Sequence, residues 1–329
     1  MESGLDREKA CDIMRAMKNQ QDWEELLNSF DAGDRRKALG KLASKYPPRG
    51  IPSHSNVNMH FHSFFSYNAE GWSPSRIAWE SKRAGLYAAG LCDFDVLDGL
   101  EEFIQAGLAL QLRATVNLET RAFLKEYTGK EISSPGEPGV TYIMGAGFVR
   151  PPAAGSPQAQ GLAGYRERAR ARNVALVQRI NARLPDIAIS YDADVIPLTP
   201  AGVATERHIV TAYISKSKVV FEHPADAAKF WAGQLKRIAD DVVLLMADTP
   251  ALEETVRSKL VKRGGVGYEQ PTAGSFPPVD EFIQWVLSCG AIPMITWLDG
   301  TSAGEADGRA MLECMMAKGA AAINITPDR

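Results

Sequence analysis

The stretch Asn58-Met-His60-Phe-His62-Ser-Phe-Phe-Ser66 decides how this 329-residue chain is interpreted. The chain has five histidines, and two of them stand here at spacing i, i+2. Side chains two residues apart on a β-strand point to the same face. Imidazole is the commonest metal ligand in proteins. The pattern therefore predicts two ligands for one metal ion at a strand end, although two half-exposed histidines on an edge strand would give the same spacing.

After a break at residues 45–50, short apolar segments alternate with segments of helical periodicity. Strands that alternate with helices predict an α/β fold with parallel pairing and helices covering the sheet. The segment 205–214 fits a helix better than a strand. We predict strands at 57–61, 87–92, 112–118, 141–148, 194–198, 292–297 and 321–325. We predict helices at 73–84, 97–106, 165–184, 205–214, 225–240, 251–263, 278–288 and 309–318.

Polar residues follow several of these predicted strands. In parallel α/β folds the chemistry lies at the carboxyl ends of the strands. A barrel brings all of those ends to one mouth, so a site is expected there. The candidates are His60, His62, Asp93, Asp95, Glu119, Asp299 and Asp328.

Composition gives mainly exclusions. The net charge of -3 does not favour nucleic acid or an anionic membrane surface as a partner. The first twenty residues are charged, and neither a signal peptide nor a membrane-spanning run is evident. Four widely spaced cysteines form no CxxC pair, which indicates reduced thiols in a cytoplasmic protein. They are Cys11, Cys92, Cys289 and Cys314.

Three regions stand outside the alternating pattern. Residues 5–45 are predicted to be helical, so we expect an N-terminal helical extension at 1–50 and a barrel at 51–329. Residues 127–163 are rich in Gly, Pro, Ser and Ala, which is typical of a lid or of a disordered surface insertion. The last predicted strand has no covering helix after it, so we expect the protein to continue beyond Arg329 with a further part of the site.

The quoted stretch resembles the first motif of the polymerase and histidinol phosphatase (PHP) superfamily. Two further segments resemble its second and third motifs, in the same order and at similar spacing. They are Gly90-Leu-Cys-Asp93-Phe-Asp95-Val-Leu-Asp-Gly99 and Asn117-Leu-Glu119-Thr-Arg121. The resemblance covers the chain from about residue 55 and is weak after residue 210. There, Thr205-Glu-Arg-His208 and Trp297-Leu-Asp-Gly-Thr-Ser302 look like a branch of metal-dependent phosphoesterases.

The resemblance implies a distorted (β/α)7 barrel that holds two or three divalent metal ions and hydrolyses a small-molecule phosphate ester. His60 and His62 would ligate one metal, and Glu119 would bridge metals. His208 would be a further ligand, and Asp328 would belong to a closing acidic motif. Mixed histidine and carboxylate ligands suit Zn, Mn or Fe better than Ca.

One position departs from the family pattern. Phe94 stands where the second motif carries a metal-binding histidine, and a phenyl ring cannot ligate. We expect Asp93 or Asp95 to supply oxygen instead, or the site to hold fewer metals. Asp93 is therefore assigned to both the metal and the catalytic groups.

Two arginines lie beside the proposed ligands. Arg121 and Arg207 are expected to clamp phosphate oxygens in fork geometry, or else to be structural ion-pair partners.

Two other functions stay open. An amidohydrolase also carries HxH after its first barrel strand, but requires a metal-bridging lysine on a middle strand and an aspartate on the last one. Lys216 and Lys218 do not fit such a position well. A non-catalytic barrel with a degenerate metal site is the third possibility, and Phe94 is its best support.

Overall fold

A six-stranded mixed sheet forms the centre of the protein, in a computed structural model that describes residues 18–47 and 56–325. The strands lie side by side in chain order and curl into a half-barrel. β1, β2 and β3 are parallel, β4 is antiparallel to both of its neighbours, and β5 and β6 are parallel. The strands are β1 (Val57–Phe61), β2 (Ala88–Phe94), β3 (Arg113–Phe123), β4 (Val140–Ala146), β5 (Ile292–Trp297) and β6 (Ala322–Ile325).

Helices cover the sheet and form a second layer of their own. None of the helices in the described ranges is both long and apolar enough to cross a membrane. They are α1 (residues 18–26), α2 (Ala32–Lys45), α3 (Pro74–Arg83), α4 (Leu100–Leu110), α5 (Pro157–Arg183), α6 (Glu206–Val220), α7 (Pro224–Leu235), α8 (Ala239–Ala247), α9 (Thr249–Leu260), α10 (Val279–Ser288) and α11 (Gly308–Ala317).

The predicted elements are largely confirmed, but two predictions are wrong. Pairing is not parallel throughout, because β4 returns directly beside β3 without a crossover helix. Residues 194–198 form short π- and 3₁₀-helical turns rather than a strand. The Asp194 carboxylate accepts the Ser190 backbone N–H at 2.6 Å, and Pro197 has no N–H for a ladder. Local turn bonding therefore prevails there.

Two hydrophobic cores are joined by one long helix. The first lies between the sheet and its helices, and includes Leu39 and Leu42 of α2. The second lies within α6–α9 and the end of α5. Leu162 of α5 belongs to the first core and Ile180 to the second. The Gly- and Pro-rich segment 127–163 thus contains β4 and the start of α5, and leads into a helical unit rather than forming a free insertion.

A bulge in β1 sets the position of the two histidines. Asn58 pairs with Ala89 and Phe61 with Leu91, so β1 holds one more residue than β2 across this stretch. Gly90 lies under the bulge, and a Cβ there would be 2.5 Å from the Met59 carbonyl oxygen. That oxygen accepts a hydrogen bond from the Asn117 side chain at 2.9 Å. The backbone of β1 at the bulge therefore packs closely against the backbone of β2 at Gly90.

Replacing Gly90 by alanine should destabilise the protein by about 1–3 kcal/mol, because the backbone of β1 must move to admit the methyl group. Urea unfolding measures the change. Gly233→Ala is the matched control, since Gly233 is exposed within α7 and a Cβ there would contact nothing. The control should gain up to about 1 kcal/mol from helix propensity. Equal changes in unfolding free energy in the two variants would contradict the close packing of β1 against Gly90.

Candidate metal centre

Three ligand-type side chains converge where β1 ends and where the pairing of β3 with β2 ends. His60 and His62 belong to β1 and the loop that follows it, and Glu119 belongs to β3. The Nε2 atom of His60 lies 3.4 Å from Oε2 of Glu119, and that of His62 lies 3.5 Å from the same oxygen. Glu119 is buried, whereas the imidazoles are about one quarter exposed. The structure thus brings together three of the predicted ligands at one half-open position.

These separations suit a bound cation. Imidazole nitrogen and carboxylate oxygen lie about 2.0–2.2 Å from Zn²⁺, so two such atoms in tetrahedral coordination are about 3.4 Å apart. The ligand atoms of His60, His62 and Glu119 all lie within 4.8 Å of one another. Three protein ligands with an open side are typical of catalytic rather than structural zinc sites. The donor set therefore fits a divalent transition metal.

The two imidazoles differ in their affinity for a proton. Burial alone would lower the pKa of His60, but the hydrogen bond and charge of Glu119 outweigh it and leave that pKa above its usual value. Burial lowers the pKa of His62 to about 4, and the charges of His60 and Arg207 add to this effect while Glu119 opposes it. With this lowered pKa, His62 offers a free nitrogen lone pair at neutral pH.

Asp93 does not join the cluster. Its Oδ1 accepts the Ser63 backbone N–H at 2.6 Å and the Ser66 hydroxyl at 2.8 Å, and its Oδ2 accepts the Ser63 hydroxyl at 2.7 Å. Burial raises the pKa of this carboxyl to about 6, against the effect of these bonds. The oxygens of Asp93, which we predicted to be a ligand and a catalytic group, thus accept hydrogen bonds from the loop after β1. These bonds hold that loop at the end of β2.

Phe94 forms an apolar wall of the site. Its ring stacks on His62 with 5.0 Å between centroids and 5° between planes, and lies 6.0 Å from the ring of Tyr142. Phe94 is paired across the sheet with Glu119, so it borders the position where the ligands meet. An aromatic surface therefore replaces the histidine of the family motif and restricts the plane of His62.

Asp95 also lies apart from the three ligands. It adopts a left-handed backbone conformation, with φ at 55°. Its carboxylate accepts the hydroxyl of Thr120 at 2.6 Å, and burial raises its pKa. The carboxylate therefore serves a turn beside the site.

His208 serves as a helix cap. It lies at the third position of α6, where its Nδ1 accepts the Thr205 backbone N–H at 3.1 Å. A neutral ring that accepts at Nδ1 carries its proton on Nε2, which leaves no lone pair for a metal. Burial lowers the pKa of His208 to about 4. The structure therefore places this predicted ligand outside the cluster, in edge contact with Tyr67 at 5.3 Å between ring centroids.

Arginines form a cationic side of the site. Arg121 follows Glu119 by two residues on β3, donates to Glu137 at 3.0 Å and lies 4.5 Å above the ring of Phe276. Arg172 of α5 lies 4.4 Å from the same ring. Burial and the Arg121 charge lower the pKa of Arg172 to about 10. Two partly desolvated guanidinium groups thus stand close together beside the ligand cluster.

Arg207 reaches the site from the helical unit. Its guanidinium lies 5.3 Å from the Tyr67 ring and 3.4 Å from a carboxylate oxygen of Glu254. The Tyr67 hydroxyl donates to Glu253 of α9 at 2.7 Å. The loop that follows His62 is therefore bound to the helical unit at its outer side.

Two further candidates lie elsewhere. The side chain of Asp299 accepts the backbone N–H and the hydroxyl of Thr301, and shapes the turn after β5. Asp328 lies outside the described residues.

Sequence reasoning did not assign roles to Ser63, Ser66, Tyr142 or Arg172. The serines stand inside the quoted motif, yet their partner Asp93 is 30 residues from Ser63 and 27 from Ser66, and no local pattern connects them to it. Arg172 is one of several arginines on α5, and its burial has no signal in the sequence.

Comparison with known proteins gives structural neighbours only. No protein-family model matches the sequence, and no curated protein matches it. A proposed metal-dependent phosphoesterase from Bifidobacterium adolescentis is similar in structure, with a TM-score of 0.53 and 17% identity over 84% of this chain and 81% of that one. An amidohydrolase from Chromobacterium violaceum, with bound sulfate and no metal, has a TM-score of 0.53 and 17% identity over 82% of this chain and 76% of that one. The chain has the fold of these proteins.

The capping role of His208 predicts a pH effect on stability. Its pKa of about 4 in the folded protein lies below the ordinary value of 6.5, so its contribution is present above pH 6.5 and is lost as the pH falls towards 4. His208→Gln keeps a capping side chain at this position without the titration. Between pH 7.5 and 4.5 the wild-type protein should lose about 2 kcal/mol more unfolding free energy than the variant, as measured by urea unfolding. Parallel pH profiles would contradict the cap.

Proposed function

We propose that this protein is a metal-dependent hydrolase of the PHP superfamily that acts on a phosphate ester. The observation that carries the proposal is the convergence of His60, His62 and Glu119, which come from β1, the loop after it and β3. The order of the three sequence motifs supports the superfamily, and the fold shared with a proposed metal-dependent phosphoesterase supports the same class.

The three residues would hold a divalent cation. When bound, such an ion lowers the pKa of its water, polarises a phosphoryl oxygen and stabilises the leaving oxygen. Glu119 contributes negative charge from a buried position, and the two imidazoles contribute neutral nitrogen. The Phe94 ring covers one face of His62, and such an apolar neighbour strengthens the electrostatic interactions on that side of the cluster.

The arginines favour an anionic substrate. Guanidinium groups bind phosphate oxygens in a bidentate manner. Arg121 lies on the same strand as Glu119 and points to the same sheet face, two residues further along. The charge of Arg207 acts directly on His62. Arg121 and Arg207 would therefore bind the non-bridging oxygens of a phosphate group placed at the cluster.

An amidohydrolase is the second candidate, because a protein of that name shares the fold. None of the six described strands contains a lysine. Lys216 and Lys218 lie on α6, and neither stands at a strand end. The bridging lysine of that reaction has no counterpart in the sheet, so the phosphoesterase is the better supported function.

His60→Ala and Glu119→Gln should each lose bound metal and lower hydrolysis of p-nitrophenyl phosphate by more than about 100-fold, which corresponds to about 2.7 kcal/mol. Metal content by mass spectrometry and steady-state kinetics measure the two effects. His223→Ala is the matched control, because His223 is exposed at the start of α7. Retained metal and activity in both site variants would refute the proposal. Bound metal with amide turnover and no phosphate turnover would favour the amidohydrolase.

Arg121→Gln should raise KM for the aryl phosphate by about 10-fold, equivalent to about 1.4 kcal/mol of lost binding, with a smaller effect on an uncharged aryl ester. Arg263→Gln is the control, because Arg263 is exposed and pairs with Glu131 at 3.4 Å. A KM unchanged for both substrates would show that Arg121 has only a structural role with Glu137.

A further inference from the structure

We propose that Ser66 is a positioning residue that fixes the tautomer and direction of the His62 imidazole, through a polar chain that begins at Asp93. This inference rests on the proposed metal site and adds residues to it that no ligand pattern identifies. The chain runs from the Asp93 carboxylate to the Ser66 hydroxyl at 2.8 Å, and from that hydroxyl to Nδ1 of His62 at 3.4 Å.

The direction of each hydrogen bond follows from the number of protons available. An ionised carboxylate only accepts, so the single hydroxyl proton of Ser66 is donated to Asp93. The Ser66 oxygen then meets Nδ1 of His62 as an acceptor, which requires the proton of the neutral imidazole to be on Nδ1. Nε2 consequently carries the lone pair. Nε2 is the nitrogen that lies 3.5 Å from Glu119, on the side of the ligand cluster.

A second contact fixes the ring plane. Phe94 stacks parallel to the His62 ring at 5.0 Å. Stacking restricts the tilt of the ring but does not distinguish its two nitrogens. The Ser66 hydroxyl distinguishes the two nitrogens, because the hydrogen bond between Ser66 and the ring forms only when Nδ1 faces Ser66. Ligand histidines are commonly held by a hydrogen bond to the other ring nitrogen, and loss of that partner typically costs 10–100-fold in metal affinity.

Ser63 provides an internal comparison. Both serines are fully buried, and both donate a hydroxyl proton to Asp93, at 2.7 Å for Ser63 and 2.8 Å for Ser66. Of the two hydroxyls, only that of Ser66 lies within hydrogen-bond distance of the His62 imidazole. Removing either hydroxyl therefore removes one bond to Asp93, but removing that of Ser66 also releases the imidazole.

The test compares Ser66→Ala with Ser63→Ala in the full-length protein. Zinc affinity is measured by competition with a chromophoric chelator. Ser66→Ala should bind zinc about 10–100-fold more weakly than wild type, whereas Ser63→Ala should stay within about threefold if only loop anchoring is lost. Ser66→Thr, which keeps a hydroxyl, should recover most of the affinity. Circular dichroism and urea midpoints verify that the variants are folded.

The tautomer of His62 can be measured in the metal-free protein. Nitrogen-15 NMR of the imidazoles, with His62→Ala for assignment, should show Nδ1 of His62 protonated in the wild type and in Ser63→Ala, and a mixture of tautomers in Ser66→Ala. An unchanged tautomer together with unchanged zinc affinity in Ser66→Ala would overturn the positioning role. Wild-type zinc affinity in His62→Ala would instead overturn the metal site of the proposed function, and the tautomer would still test the polar chain.

Discussion

The buried carboxylate of Asp93 is the constraint on which the site depends. A charge removed from water has to be satisfied by hydrogen bonds, and three donors from Ser63 and Ser66 do this. Those bonds draw the loop after β1 onto the end of β2. Since His60 and His62 immediately precede this loop, satisfying Asp93 also places both imidazoles against Glu119 of β3. The buried carboxylate thereby joins the loop after β1 to the end of β2.

The surrounding structure holds that loop from the outside. Arg35 of α2 is buried, pairs with Glu102 at 2.6 Å and lies 5.2 Å from the ring of Phe64. Glu102 also accepts the backbone N–H of Ser75 at the start of α3. Helix α2 thus supports the loop as well as the first core. On the opposite side, the Tyr67 hydroxyl binds α9. The loop after β1 is consequently held between the helices that cover the sheet and the helical unit.

Much of the fold was predictable because its signals are local. β1 follows from alternating apolar and polar residues and β5 from an apolar run, and α3 follows from Ser73 as its N-cap with Pro74 in the first turn. The direction of β4 was not predictable, because the choice between a hairpin return and a crossover depends on contacts distant in sequence. The 194–198 segment has strand-like composition, but the Asp194 carboxylate bonds back to Ser190 and bends the chain.

The candidate ligand triad was predictable from the sequence, whereas the contacts that hold it in place were not. His60, His62 and Glu119 follow from strand-end position and residue type. Asp93 and His208 have the same chemistry as ligands, yet their lone pairs are used by serine donors and by a helix N-terminus. A sequence records which groups can ligate, whereas the partner that a group already has is set by tertiary structure.

Anomalous diffraction from crystals grown with zinc, recorded on both sides of the zinc edge, tests the central claim most directly. We predict a single strong peak about 2.0–2.2 Å from Nε2 of His60, Nε2 of His62 and a carboxylate oxygen of Glu119, with Asp93 still bonded to the two serines. A peak at Asp93 or His208, or no peak near the imidazoles in crystals of the zinc-loaded protein, would contradict it.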